Sequence, residues 1–218
     1  DGDRPHVLAR DLARIERRYR ARGFYEARVR AGRVIRTGDR SVKVEILVEE
    51  GEPIRVERIV VLGIDNLPET TRQQITDAWK LPPGEPLDED LYLQGGTSLR
   101  TALTETGFAY ADVELSARVD LPHHTAVIYA AVKSGPPCTF GPLTIVGLNE
   151  VAEKDVRRLV TFQGGAPYSS RSLLISQNTL FDLGAFDAVE FEPDRSDPSR
   201  PAVPIKLTLR ESKLRRVQ

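Results

Sequence analysis

The sequence contains no methionine and a single cysteine, Cys138. One cysteine excludes an internal disulfide and any cysteine-based zinc cluster. No histidine lies within a few residues to activate it, so Cys138 reads as a small, semi-buried hydrophobe rather than a reactive thiol. No stretch approaches the ~20 consecutive apolar residues that a bilayer-spanning helix needs, and no segment of the sequence reads as a signal peptide. The chain opens on Asp1 rather than on a methionine, and is expected to be a soluble piece of a longer protein. It has no excess of either charge: 31 Lys+Arg stand against 32 Asp+Glu, a formal net charge of -1. That balance argues against a dedicated nucleic-acid binder, which carries a large positive surplus. The charge is unevenly spread, with thirteen Lys/Arg against nine Asp/Glu in residues 1–50.

Groups that carry chemistry are scarce too. His6, His123 and His124 are the only histidines. The adjacent pair falls at a polar hairpin tip, where two neighbours do not easily share one metal ion, and both are expected in solvent. Glu49-Glu50 precede a turn and Asp88-Glu89-Asp90 open a helix, where negative charge complements the helix dipole. Neither cluster is isolated in an apolar pocket, as a tuned acid would be. There is no nucleophile elbow, P-loop or dinucleotide fingerprint. No catalytic, metal-ligating or cofactor-binding residue is therefore assigned, and the chain reads as a binding protein rather than an enzyme.

What the sequence does have is repetition. Arg22-Gly23-Phe24-Tyr25-Glu26-Ala27, Thr106-Gly107-Phe108-Ala109-Tyr110-Ala111 and Leu183-Gly184-Ala185-Phe186-Asp187-Ala188 share one pattern, a glycine closing a helix and an aromatic opening a strand. The glycines are 84 and then 77 residues apart. Gly51-Glu52-Pro53 followed by a strand ending at Gly63 recurs 84 residues on as Gly135-Pro136-Pro137 and a strand ending at Gly147. Gly84-Glu85-Pro86-Leu87-Asp88 is answered by Gly165-Ala166-Pro167-Tyr168-Ser169. Three markers in one order make chance similarity untenable.

Each repeat reads strand, helix, helix, strand, strand. In the second, a strand over 56–62 precedes a helix over 69–79, and Asp88 is placed to cap a longer helix. Gly95-Gly96 should loosen or kink that helix. Val113, Leu115, Ala117 and Val119 then alternate on one face, with Ile128, Ala130 and Val132 answering on the returning strand. The third repeat predicts helices near 151–161 and 169–183 and strands near 186–192 and 203–210. The first is incomplete. It starts at its long helix, with Leu8, Leu12, Ile15 and Tyr19 in one stripe, and ends on the alternating Val42, Val44, Ile46 and Val48.

The unit resembles the POTRA domain, the periplasmic module of the Omp85 family. The resemblance rests on Gly-Glu-Pro leading into Ile54–Gly63, on the Gly-x-Pro before the long helix and on the Gly-Phe-Tyr after it, and it covers the whole chain. It implies an α+β fold of tandem β-α-α-β-β modules, each a three-stranded mixed sheet with two helices on one face. The modules would be 1–50 (the C-terminal part of a first), 51–134 and 135–212, with 213–218 leading into a membrane β-barrel. Arg215 and Arg216 would then lie near headgroups. Three modules before a barrel look more like the TamA branch than the five-module BamA branch.

The resemblance further implies interaction modules on the periplasmic side of the bacterial outer membrane, serving a barrel-assembly, insertion or translocation factor. Partners would be unfolded outer-membrane proteins or secreted passengers, together with periplasmic or inner-membrane accessory proteins. Contact with the membrane would run only through the barrel, and nucleic acid plays no part. A rigid scaffold docking accessory proteins, or the corresponding region of a two-partner secretion transporter, would show the same sequence features. In a three-stranded sheet at least one edge has unpaired N–H and C=O groups, to which an extended segment can add as a further strand. The resemblance implies the first hairpin strand as the working edge, roughly 25–35, 109–120 and 186–192. The candidate binding residues there are Tyr25, Ala27, Val29, Tyr110, Val113, Leu115, Phe186, Val189 and Phe191. The aromatics serve equally well as packing between helix and sheet. Gly23, Gly107 and Gly184 read as helix C-caps of positive φ. Arg10, Arg14, Arg17 and Arg18 line one helix face, as a solvated surface or as a meeting place for acidic headgroups or a partner. The short, proline-bearing joints at 51–53 and 135–137 predict limited hinge freedom.

Overall fold

A computed structural model describes residues 4–38, 41–79 and 81–212; the expected lead-in at 213–218 lies outside them. The element order is α1(Arg4–Ala21) β1(Arg28–Arg36) β2(Val42–Glu49) β3(Arg55–Leu62) α2(Glu69–Ala78) α3(Glu89–Glu105) β4(Asp112–Asp120) β5(Thr125–Lys133) β6(Thr139–Val146) α4(Glu153–Leu159) α5(Ser170–Asp182) β7(Phe186–Pro193) β8(Ala202–Glu211). The strands form three sheets of order β1-β2, β3-β5-β4 and β6-β8-β7. The chain divides into two compact units. One holds Asp1–Leu62, Trp79–Gly96 and Glu114–Ala130, the other Gly63–Ala78, Thr97–Val113 and Ala131–Gln218.

In the first unit, α1 leads into the antiparallel pair β1-β2, whose register shifts between Ala31 and Val34. Glu16 pins helix to sheet: its carboxylate accepts the Val29 N–H at 3.2 Å and pairs with Arg20 at 2.6 Å. Among the described residues this sheet has only two strands, so its alternating residues are poorly covered. Val42 and Ile46 stay exposed while Val44 and Val48 are half-buried. Beyond it, Ile54, Val56, Leu81, Leu87, Ala126 and Ile128 form a buried cluster, with Trp79, Tyr92 and Val119 against it.

The glycine pair in α3 does not break the helix, which runs unbroken from Glu89 to Glu105. What packs against the pair accounts for that continuity. A Cβ on Gly95 would sit 2.6 Å from the Trp79 ring, and one on Gly96 would meet the Leu115 side chain at 3.0 Å. The glycines let an indole and a strand residue approach the helix backbone, and that contact offsets their poor helix propensity. Asp88 caps the same helix by accepting the N–H groups of Asp90 and Leu91 at 2.9 and 3.1 Å.

In the second unit, β6 runs parallel to the central β8, and β7 antiparallel to it. Phe140, Phe162 and Tyr168 meet in the core, with Phe140 stacked on Phe162 at 4.1 Å and 19°. Each such ring contributes about 1.5–3 kcal/mol by burial. Helix α5 is capped by Ser169, which accepts the Ser172 N–H. Buried Ser176 is satisfied by Thr161 and the Ser172 carbonyl. At the end of β8, the Glu211 carboxylate accepts the N–H groups of Asn149, Glu150 and Val151 at 2.8–3.1 Å.

Two measurements follow from this packing. In an open helix Gly→Ala stabilises by roughly 0.5–1 kcal/mol. Gly95→Ala is expected instead to destabilise by about 1–3 kcal/mol, because the methyl displaces Trp79; a raised denaturant midpoint would contradict the contact. The three N–H groups hold Glu211 below the usual glutamate range, near 4.5. A depressed carboxyl stabilises the fold above its unfolded pKa, and that contribution is lost as pH falls through the folded value. Denaturant midpoints should therefore decline below about pH 4.5, and less steeply in Glu211→Gln, where no carboxylate remains to be protonated.

Candidate functional site

The joints between repeats use one device twice. The Gly23 carbonyl accepts the Ile54 N–H at 2.8 Å, and the Ile54 carbonyl accepts the Leu87 N–H at 2.8 Å. Eighty-four residues later, the Gly107 carbonyl accepts the Cys138 N–H at 2.7 Å, and the Cys138 carbonyl accepts the Tyr168 N–H at 3.0 Å. Gly23, Gly107 and Gly184 have φ of +92°, +105° and +68°, a region that disfavours side chains. The sequence reading saw a helix cap in these glycines but not the bond to the following strand. The constant 31-residue interval from Gly23 to Ile54 and from Gly107 to Cys138 was the available signal. Cys138 is buried, its thiol pushed up by that burial, with Sγ 3.2 Å from the Pro136 carbonyl.

The same segments decide which strand edges are open. The outer side of β3 is met at its start by the Gly84–Leu87 loop, through Val56 N–H to Glu85 O and Gly84 N–H to Val56 O. The Gly165–Tyr168 loop meets β6 in the same way, and isolated bridges join Arg55 to Pro86 and Thr139 to Pro167. The outer sides of β4 and β7 pair with no strand among the described residues. β7 ends at Pro193, which has no N–H to offer. β1 carries a register shift. β4 is nine residues long and contains no proline.

The nine candidate binding residues lie on or beside the outer strands of three separate sheets and form no single site. Tyr25 precedes β1 and is 43% exposed, whereas Ala27 is fully buried and Val29 half-buried. Tyr110 stands before β4, and its hydroxyl donates to the carbonyls of Asp197 (2.9 Å) and Arg200 (3.2 Å) in the β7–β8 loop. Val113 and Leu115 are half-buried on β4. Phe186 and Val189 are buried, and Phe191 is half-buried against Phe162. Of the four aromatics, only Tyr25 presents its ring to solvent.

Tyr25 opens onto a cavity of about 400 Å³ that the sequence did not announce. Its other walls are Arg17, Arg20 and Ala21 of α1, Leu87 and Tyr92 around the start of α3, Glu89, and Ala117 of β4. Burial, then the nearby Glu89, raise the Tyr25 hydroxyl above its ordinary range; burial, then Tyr25, do the same for Tyr92. Both are therefore protonated donors at neutral pH. No signal in the sequence joined Tyr92 to Tyr25, because their proximity depends on how α1 meets α3.

The hairpin tip also differs from expectation. His123 is exposed and 3.0 Å from Asp120, but His124 is only 27% exposed. Its ring lies 3.4 Å from Glu26 and 3.5 Å from Glu52, and its carbonyl accepts the Arg55 N–H. The turn folds back on the joint, which half-buries His124, whose φ is +50°. The side chain of His6 lies outside the described residues. Among the described residues no group of three or more His, Cys, Asp or Glu is placed to hold a metal, and no helix is long and apolar enough to cross a membrane.

A family model described as POTRA, surface antigen variable number repeat, matches residues 4–51 and 54–135. The chain belongs to that family. The outer membrane protein assembly factor BamA of Neisseria meningitidis serogroup B is 21% identical over 94% of the chain and 26% of its own length. BamA of Nitratidesulfovibrio vulgaris is 28% identical over 70% of the chain and 20% of its length. The chain thus spans about a quarter or less of these relatives. Both carry the BamA name rather than that of the TamA branch, which the module count resembled. Among solved structures, the POTRA3-5 fragment of Haemophilus influenzae BamA superposes with a TM-score of 0.66 at 20% identity, over 94% of this chain and 80% of that one. The α+β fold expected from the repeats, tandem POTRA modules with three-stranded mixed sheets, is the fold observed.

Proposed function

We propose that these POTRA modules are the periplasmic arm of an outer-membrane β-barrel assembly or translocation factor. They hold unfolded client segments by strand addition, chiefly on β4. One observation carries this reading: among the described residues no strand pairs with the outer edge of β4, whereas the start of β3 on the opposite side of its sheet is occupied by the chain's own Gly84–Leu87 loop. Main-chain bonding makes little demand on client sequence, which suits clients that share only the capacity to form strands. The modules correspond to 1–50, 51–134 and 135–212, with 213–218 leading toward a membrane barrel. The relatives' role as outer membrane protein assembly factors supports the assembly reading and the periplasmic location. The work is binding rather than catalysis, and it involves neither cofactor nor nucleic acid.

A second role is favoured by the paired joint bonds, namely spacing modules at fixed intervals for accessory proteins to dock. The two roles are compatible, because an edge is useful only where its sheet is held in place.

The test is an NMR titration of the labelled chain with an unfolded peptide from an outer-membrane β-strand. Amide shifts concentrated in residues 112–120 are the expected result, with weaker or no change in β3. No shift anywhere at around 1 mM peptide, where about 4 kcal/mol of binding would register, leaves the spacer role alone.

A further inference from the structure

We infer that the cavity between α1, Tyr25 and the start of α3 is an anchoring subsite for one aromatic side chain of a client strand added to β4, with a carboxylate beside that ring. The inference rests on the strand-addition reading and adds a side-chain preference to it.

Position is the first argument. Ala117 forms one wall and lies on β4 in the same alternation as Leu115, which faces α3 through Gly96. A strand laid along β4 places every second side chain on this helix-facing side, so one of them falls over the cavity. Ala117 contributes only a methyl group there, which leaves the opening clear.

The lining is the second argument. Tyr25 and Tyr92 supply aromatic surface, Leu87 an apolar floor, and the arginines of α1 apolar stems ending in guanidinium groups. Aromatic rings pair edge to face or offset with tyrosine, and guanidinium stacks on their faces. A cavity of about 400 Å³ holds a phenol or indole ring. An aliphatic side chain would fill it poorly and forgo the ring contacts.

Charge is the third. Arg20 is paired with Glu16, but Arg17 makes no ion pair among the described residues. Arg17 belongs to the most basic part of the chain, residues 1–50. A client carboxylate two residues from the aromatic one, and so on the same face of the strand, would meet Arg17, whereas a basic residue there would be repelled. Glu89 also lines the cavity, close enough to Tyr25 to raise its hydroxyl, so an acidic client group is disfavoured near it and favoured near Arg17.

The subsite is composite. Its walls come from the first repeat (Arg17, Ala21, Tyr25) and the second (Leu87, Tyr92, Ala117), so neither repeat would display the preference alone.

The experiment compares two unfolded peptides of one strand sequence, one with Phe and one with Ala two residues from an Asp, by fluorescence anisotropy and amide shifts on the intact chain. The Phe peptide is expected to bind about tenfold more tightly, and that ratio to fall toward one in Ala117→Trp, which fills the cavity, and in Tyr25→Ala. Both substitutions are at exposed positions, so the fold survives them. Equal affinities on the unaltered chain, or a ratio that survives in Ala117→Trp, would overturn the subsite while β4 shifts with both peptides kept strand addition intact. Absence of β4 shifts with either peptide would overturn strand addition and the subsite together.

Discussion

At each joint one glycine carbonyl fixes where the next sheet begins. Gly23 and Gly107 leave their helices with positive φ and so turn their carbonyls toward the strand of the following module, which donates from Ile54 or Cys138. That same residue then accepts from Leu87 or Tyr168, the residue just after the Gly-x-Pro of the next loop. A neutral hydrogen bond contributes only about 1 kcal/mol net, but a buried one left unmade costs more. The relay therefore acts less as adhesive than as a constraint on register. Cap, strand and loop must form together, which is why the three sequence markers recur at matched spacing.

The relay has a consequence for binding. By drawing the Gly-x-Pro loop against the start of β3 or β6, it covers part of one edge of each three-stranded sheet. With the last strand in the middle, the first hairpin strand is left on the open side. Which edge meets a client is thus decided by the order of elements and the loop bridge together. β7 has the same position as β4 but ends at Pro193, and its exposed face carries Asp187, Glu190 and Glu192. These are features that discourage pairing at an edge. β4 is also charged on its exposed face, at Glu114, Arg118 and Asp120, but it contains no proline and lies beside Tyr25, the exposed aromatic among the candidates.

Much of the fold was legible because it is repeated. Alternation in Ile128, Ala130 and Val132 gave a strand face that is buried, and Asp88 announced the start of α3. Less was legible where one segment's conformation depends on another far away in sequence. Gly95-Gly96 read as a break because propensity is local, whereas the Trp79 ring that needs the space lies outside the helix. His124 read as solvent-exposed because nothing at the turn indicates that Glu26 and Glu52 await it. The candidate site shows the same division. Its strands were visible as patterns of alternation, but the Tyr25–Tyr92 cavity depends on the meeting of two repeats. Similarity within each repeat says nothing about the space between them.

Disulfide trapping would test the central claim, that β4 is the receiving edge, most directly. One cysteine introduced at exposed Ser116 on β4 or at exposed Glu57 on β3, alongside the buried Cys138, would be offered to an unfolded client strand carrying one cysteine. A disulfide needs Cα atoms within roughly 4.4–6.8 Å, a distance that paired neighbouring strands meet and transient encounters seldom hold. The account predicts a rapid, saturable adduct at Ser116→Cys and little at Glu57→Cys. Equal trapping at both positions, or preference for β3, would contradict it.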